Sequence, residues 1–526
     1  MRFRLTKTAK VCLSLLVVLA IGGGIFFGVK SGLVKNDITD KPDSSTNDTP
    51  VIINPSTSTP APNPAVKENV IDLSLDEWIG WKSIIDANGG LTTQPGSVYD
   101  QLGVKVNIHV INDATQSSNA LIKGDLDAAG YTINRTAFLS TKFKNAGMNV
   151  VMPFITNYSN GGDGIIAKSS VTKVEDLVNA KIGLAQFSEA HTLVVWFVNN
   201  SNLPQADKDK ILNENLVYFE TPDEAAKAFF AGKIDAAATW EPYLTQAKNM
   251  TDCRIFFSTA SSSNLVMDGI LFNKDFAEKN SDLVDKFIKG ALMASEMYAT
   301  EMNIIRSVMP MFATASDDDI KANCAVACLT TWKDNDNLLN GSAPIMYRDM
   351  CNVWNSIGED AVVELADTLF DDSYIKRIAG DFNTMEVSNT NTVTITDTNK
   401  QEALDTEALL SGHASVVFTG DTAKFVDPAA AAAELDRFIE MAKILDGAII
   451  EIAGNTNPVG AATQGAYLLS EQRAEAVKNY FVMNGIDPRR IIVVGNGPDF
   501  PIGDPNTEDG ARANRRTDVS FKVIEG

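Results

Sequence analysis

Apolar and polar positions divide the chain into four stretches. An uncharged apolar run, Val11–Val29, follows a segment carrying Arg2, Arg4, Lys7 and Lys10. Residues 36–69 are rich in Pro, Ser, Thr, Asn and Asp and show no apolar period. From residue 70 to 378, short apolar runs (VKVNIHVI, NVVMPFIT, AKIGLA, GILFN) alternate with helix-period stretches, and the helical period dominates after Ser281. After the polar stretch SNTNTVTITDTNKQ the pattern predicts strand SVVFTG, a helix over 427–445, strand AIIEIAG, a helix over about 467–484, strand RIIVVGNG and a last strand, TDVSFKVI. Such alternation predicts an α/β fold with mostly parallel strands in the centre. The C-terminal order reads βαβαββ.

As a helix, the first run is about 28 Å long, enough to cross a hydrocarbon core. The reading is a cytoplasmic basic tail (1–10) and one transmembrane helix (11–29), with the bulk of the chain outside. A cleaved secretory signal competes, but its apolar part is usually shorter and ends at a small-x-small site. Here Phe26, Phe27, Val29 and Lys30 end the run. Residues 36–69 then read as a linker, semi-extended where Pro is dense.

Net charge is −22 over 526 residues, with a pI near 4.6. That argues against a general nucleic-acid binder, because an acidic surface repels phosphates. Five Cys are too few for a disulfide scaffold, and His109, His191 and His413 form no metal-ligand spacing. No metal or cofactor is expected. Cys253, Cys324, Cys328 and Cys351 lie in the exported part. The helical period puts Cys324 and Cys328 one turn apart, and either a bridge to Cys351 or free thiols fit.

One segment repeats. Ala120-Leu-Ile-Lys-Gly124-Asp-Leu-Asp127-Ala-Ala echoes Ala228-Phe-Phe-Ala-Gly232-Lys-Ile-Asp235-Ala-Ala. Each reads as a helix stopped at a left-handed Gly, followed by a strand. The strands would end at Tyr131-Thr132 and Thr239-Trp240, where open α/β sheets bind ligands. A chance repeat of a common helix–strand joint is the alternative.

Glu77-Trp-Ile-Gly-Trp81, ALIKGDLDAA, Gly161-Gly-Asp-Gly-Ile165, Val174-Glu-Asp-Leu177 and AAKAFFAGKIDAAATWEP resemble the substrate-binding proteins of ABC importers for nitrate, alkanesulfonate, taurine and thiamine-precursor pyrimidines. The resemblance implies a two-lobed periplasmic-binding fold over 70–385, with lobe 1 at about 70–160 and 260–385 and lobe 2 at about 161–259. It places nine residues in the cleft: Trp78, Tyr131, Thr132, Gly162, Asp163, Ser188, His191, Trp240 and Glu241. Trp78 would stack on a ligand or pack in the core. Ser188 would cap the helix starting near Glu189, whose free N–H groups suit an anion, or serve as an ordinary cap. His191 would touch the ligand or merely pack. Glu241 would pair with a ligand amine or form a surface ion pair.

Further along, Val417-Phe418, Asp421, Phe425, Gly454-Asn-Thr-Asn457, Leu469-Ser470-x-x-Arg473-Ala474, Gly495-x-Gly497 and Asn514-Arg515-Arg516 resemble the OmpA-like peptidoglycan-associated domain. The resemblance implies such a domain over 413–526, after a linker at 386–412. In that family an Asp of the turn and the Arg of the following helix hold the diaminopimelate of a stem peptide. Arg473 matches, but Asn457 replaces the Asp, Ala466 replaces an Asn, and Gly510-Ala511-Arg512 interrupts the usual Gly-Arg. An Arg fork suits a carboxylate, whereas Asn keeps hydrogen bonding without the charge.

Together these imply a membrane-anchored, extracytoplasmic binding protein, not an enzyme. It would take a small polar or anionic solute, touch peptidoglycan, and pass solute to separate ABC permease and ATPase subunits. The alternative is a structural envelope protein whose lobes bind nothing. N-terminal sequencing of the membrane-extracted protein should start at or near Met1; a start near residues 30–40 would contradict the uncleaved anchor.

Overall fold

The computed structural model describes residues 69–262, 264–297, 302–382, 393–458 and 462–524. The expected tail, transmembrane helix and linker lie outside them. Among the described residues no helix is long and apolar enough to cross a membrane.

Two sheets form the central region. The first takes β1 (Val70–Leu75), β2 (Lys105–Val110), β3 (Ala128–Thr132), β4 (Val150–Val151) and β5 (Ile155–Ser159). The second takes β6 (Asp163–Lys168), β7 (Ile182–Ala185), β8 (Leu216–Phe219), β9 (Ala236–Trp240) and β10 (Cys253–Ser258). The chain then returns to the first sheet as β11 (Met267–Asn273) and β12 (Ala327–Leu329). Strand orders are β12-β5-β11-β3-β1-β2, with β4 beside β11, and β10-β6-β9-β7-β8. Two crossings, at 159–163 and 258–267, therefore join two α/β lobes.

The repeated segment is a structural repeat. The helix Ala114–Lys123 stops at Gly124 (φ +78°), and the helix Pro222–Phe230 is followed by Gly232 (φ +71°). Both angles suit Gly, which has no Cβ to clash. β3 then runs parallel to β1 and antiparallel to β11, while β9 runs parallel to β7 and antiparallel to β6. In register, Thr132 faces Asp268 and Trp240 faces Asp163.

The described residues of 281–378 are mostly helical, and β12 interrupts the helices and corrects the cysteine reading. Cys324 is on the helix Asp317–Val326 and Cys328 on the strand, because Ala327 is already extended. Cys253, Cys328 and Cys351 are free thiols, so no bridge reaches Cys351.

The last domain has a four-stranded sheet of β13 (Leu410–Ala414), β14 (Ile449–Asn455), β15 (Ile491–Gly497) and β16 (Thr517–Lys522), ordered β13-β16-β14-β15. The helices Pro428–Ile444 and Gln464–Met483 complete the βαβ units, capped by Asp427 and Thr463. Three details differ from the sequence pattern. The run Ser415–Gly420 is not the first strand: Val417 to Val426 fold back as a hairpin, with Phe418 and Phe425 rings 5.3 Å apart. The strand lies just before it, at Leu410–Ala414. A short helix, Glu508–Asn514, precedes β16 in a segment too polar to predict one. The expected linker up to 412 is partly folded, since Ala403 of the helix Lys400–Asp405 is buried against Ile449 and Ile492.

This domain grips the second crossing. Ser262 Oγ donates to the Ile444 carbonyl at 2.8 Å, Asn264 Nδ2 to that of Lys443 at 3.0 Å, and the Gly447 amide to that of Ser261 at 3.2 Å. A Cβ at Gly447 would lie 2.9 Å from Ser261 Cα, so the approach needs glycine. Gly447→Val should therefore destabilise this junction by about 1–3 kcal/mol, the usual range for overpacking. Calorimetry should show a lowered melting temperature, and hydrogen exchange should speed up at 261–265; unchanged protection there would contradict the packing.

Candidate functional site

The ends of β1 and β3 meet the first turn of a lobe-2 helix. Thr132 Oγ1 accepts from the Arg135 amide at 2.8 Å, capping the helix Ile133–Asn145, and donates to Glu189 Oε1 at 2.9 Å. Arg135 Nη2 donates to both Glu189 oxygens, at 3.0 and 2.9 Å. Glu189 opens the helix Glu189–Asn200, so this forked pair joins the lobes. Burial pushes the Glu189 carboxyl up, but Arg135 outweighs it and holds it below the usual range.

Three more acids stand close by. Asp76 follows β1 and accepts from Trp81 Nε1 at 2.6 Å. Asp268 is 2% exposed and accepts from Trp78 Nε1 at 3.0 Å, which also donates to Asn157 Oδ1. Burial, then repulsion from Asp76, Glu189 and Asp163, push Asp268 well above the carboxylate range. Burial and Glu189 push Asp163 up to about 7, against a hydrogen bond from Ser159. Asp76 is also raised by the surrounding protein. It remains open to solvent, so its shift is weaker in effect than that of enclosed Asp268.

A small cavity of about 20 Å³ lies here, lined by Asp76, Asn112, Ser117, Tyr131, Thr132, Arg135 and Glu189 among others. That is room for roughly one or two waters. Tyr131 and Thr132 thus line the cleft together, and Tyr131 OH bonds Ser117 Oγ at 2.6 Å. Trp78 is partly buried and reaches towards lobe 2, its ring 3.4 Å from where a Gly162 Cβ would stand. Asp163 begins β6 beside Gly162.

The other candidates sit elsewhere. Ser188 holds the N-cap position, but its hydroxyl donates to the Ala185 carbonyl at 2.7 Å and caps nothing. The negative charge at that helix start is the protein's own Glu189. His191 is 2% exposed, and its Nδ1 accepts from the Phe187 amide at 3.3 Å. It packs among Phe187, Tyr218 and Trp354, and burial lowers it to about 4, so it stays neutral. Trp240 is 37% exposed and its Nε1 donates to Asp223 Oδ1 at 2.8 Å. Glu241 accepts from Thr245 N and Oγ1 at 3.0 and 2.9 Å, within its own helix start. None of these four lines the cavity. Arg135, Glu189, Asp76 and Asp268 were not singled out from sequence. The one usable signal was the repeat, whose strands lead to Asp163 and Asp268 through pairing.

In the last domain, Arg473 is 8% exposed, donates from Nε to the Thr422 carbonyl at 3.1 Å, and stands over the Phe418 ring at 5.1 Å. Two acids of the same sheet and helix are paired with lysines, Glu451 with Lys522 and Glu475 with Lys478. Asn457 donates to the Pro505 carbonyl at 3.2 Å and accepts from Asn514 Nδ2 at 2.9 Å.

Residues 96–301 match the NMT1/THI5 like family, and residues 417–515 match the OmpA family. The chain thus carries a segment of the NMT1/THI5 like family followed by a segment of the OmpA family. It is 37% identical over 112 residues to Outer membrane protein A of Bordetella avium, covering 20% of this chain and 57% of that one. It is 30% identical over 121 residues to a putative aliphatic sulfonates-binding protein of Bacillus subtilis, covering 19% of this chain and 36% of that one. The chain therefore spans only part of each of these curated relatives. Among solved structures, the periplasmic aliphatic sulphonate binding protein of Escherichia coli aligns at TM-score 0.45 and 14% identity, covering 59% of this chain and 99% of that one.

Asp163 supplies a pH test. Between pH about 4 and 7 the folded protein keeps a proton on Asp163 that the unfolded chain has lost, so stability falls as pH rises through that window. Asp163→Asn removes this dependence. By calorimetry the variant should gain melting temperature relative to the parent from pH 4 to 7 and hold the gain above. A pH-independent difference would contradict the placement of Asp163.

Proposed function

We propose that the chain is an extracytoplasmic solute receptor, anchored through Val11–Val29 and attached to peptidoglycan through its last domain. The observation that carries this is the cleft where Thr132 and Arg135 of one lobe meet Glu189 of the other, in a chain that ends in an OmpA-family domain. The names of its relatives support a small polar solute. Separate permease and ATPase subunits would take the solute onward. Of the nine cleft residues expected from sequence, Tyr131, Thr132, Trp78, Gly162 and Asp163 are kept as solute-facing, and Ser188, His191, Trp240 and Glu241 as supporting. A second reading, lobes that serve only as structure, is favoured by one observation: the closed cavity holds no more than roughly two waters.

Towards the wall, Arg473 supplies the guanidinium fork and Asn457 a neutral contact. Sacculus pull-down should fall by about tenfold or more for both Arg473→Ala and Arg473→Lys, since either removes the fork from a partly desolvated charge pair. Asn457→Asp should tighten retention but lower stability by about 1–3 kcal/mol, because a carboxylate cannot donate to Pro505. Full retention by Arg473→Lys would refute the fork.

A further inference from the structure

Resting on the solute-binding reading above, we propose that the interlobe cleft takes a small organic cation, an amine or amidine, held between Asp76, Asp163 and Asp268 beside the rings of Trp78 and Tyr131. A sulfonate or nitrate does not suit it.

Charge is the first argument. Asp76, Asp163, Glu189 and Asp268 act on one another across the cleft, and Arg135 is the one cation acting on any of them among the described residues. Arg135 is already spent on Glu189, through a fork that also fills the helix start where an anion would bind. Arg135 acts also on Asp76, while Asp163 and Asp268 have only acids as charged neighbours. A second, independent argument is the repeat. In each lobe the last residue of the echo strand is paired in register with an aspartate of the antiparallel neighbour, Thr132 with Asp268 and Trp240 with Asp163. Duplicated lobes therefore bring matched acids to the same space from both sides. Asp268 is 2% exposed, and Trp78 Nε1 donates to its Oδ2 at 3.0 Å, which sets the carboxyl beside the Trp78 ring.

A bare metal ion is a poor occupant, since among the described residues no group of acids, His and Cys converges closely enough to hold one. A larger, delocalised cation can reach separated carboxylates, and aromatic rings attract it as well. In the empty protein, protons stand in for that cation on the raised carboxyls of Asp163 and Asp268. The groups facing them are Asp76, Tyr131, Arg135 and Glu189. Binding a cation must therefore release protons, whereas binding an anion to the protonated acids would take them up.

The test is calorimetric titration of the full detergent-solubilised chain near neutral pH, in buffers of different ionisation heat. Putrescine, agmatine and choline form one probe set; methanesulfonate, nitrate and taurine form the other. The expected result is binding of a cationic probe with proton release. Asp268→Asn should weaken it by about tenfold or more while raising the melting temperature of the empty protein. Asp76→Asn, at the open end of the cleft, provides the same affinity test if the first variant misfolds. Binding of methanesulfonate or nitrate with proton uptake, and silence of the cations, would overturn the charge assignment and leave the solute-binding reading standing. Silence of both sets at millimolar concentration would overturn the two together.

Discussion

Arg135 meets Glu189 across the space between the lobes, and most of the site follows from that pair. The two groups come from the first turns of two helices, one in each lobe, and their fork allows little freedom in how the lobes approach. Thr132 ties the same carboxylate to the end of β3 while capping the Arg135 helix. With the guanidinium forked onto Glu189, Asp163 and Asp268 have only acids as charged neighbours. Burial, with repulsion from neighbouring acids, pushes both carboxyls up and so favours their protonated forms. One ion pair thus joins the lobes, and burial around it raises the neighbouring carboxyls.

The third domain bears on the same device from outside. Its helix end and the loop after it hold Ser261, Ser262 and Asn264, where the chain crosses back between lobes. Lobe movement in this fold must pass through the crossings, so the OmpA-family domain touches the part that must bend. The apolar core runs without a break from the lobes into this domain, which makes the contact a packed one and not a loose tether.

Much of the architecture was legible in the sequence because it depends on local rules. The helix–Gly–strand units at 114–132 and 222–240 declare themselves through apolar period and the left-handed Gly. The C-terminal strands IIEIAGN and IIVVGNG are β-rich and bounded by turns. Where tertiary pairing decides, the pattern misleads. Ser415–Gly420 looks like a strand and is half a hairpin, while the true strand, LSGHA, has weak β propensity and is held by pairing with β16. Of the proposed site, Trp78, Tyr131, Thr132, Gly162 and Asp163 were named from the sequence, Tyr131 and Thr132 through the repeat. Asp268 and Asp76 are single acids in ordinary surroundings until β11 pairs with β3 and β1 closes beside it. Ser188 has the right residue type and position for a cap, but its hydroxyl turns back to the Ala185 carbonyl.

The account's central claim, that Arg135 holds an acidic cleft shut, is most directly tested by hydrogen exchange on the full chain carrying Arg135→Gln. With the fork gone, the amides of 131–135 and 189–193 should exchange faster, while those of β1 and β7 keep their protection, because the lobes part without unfolding. Equal protection of 131–135 and 189–193 in parent and variant would show that the lobes are held by something else and would contradict the account.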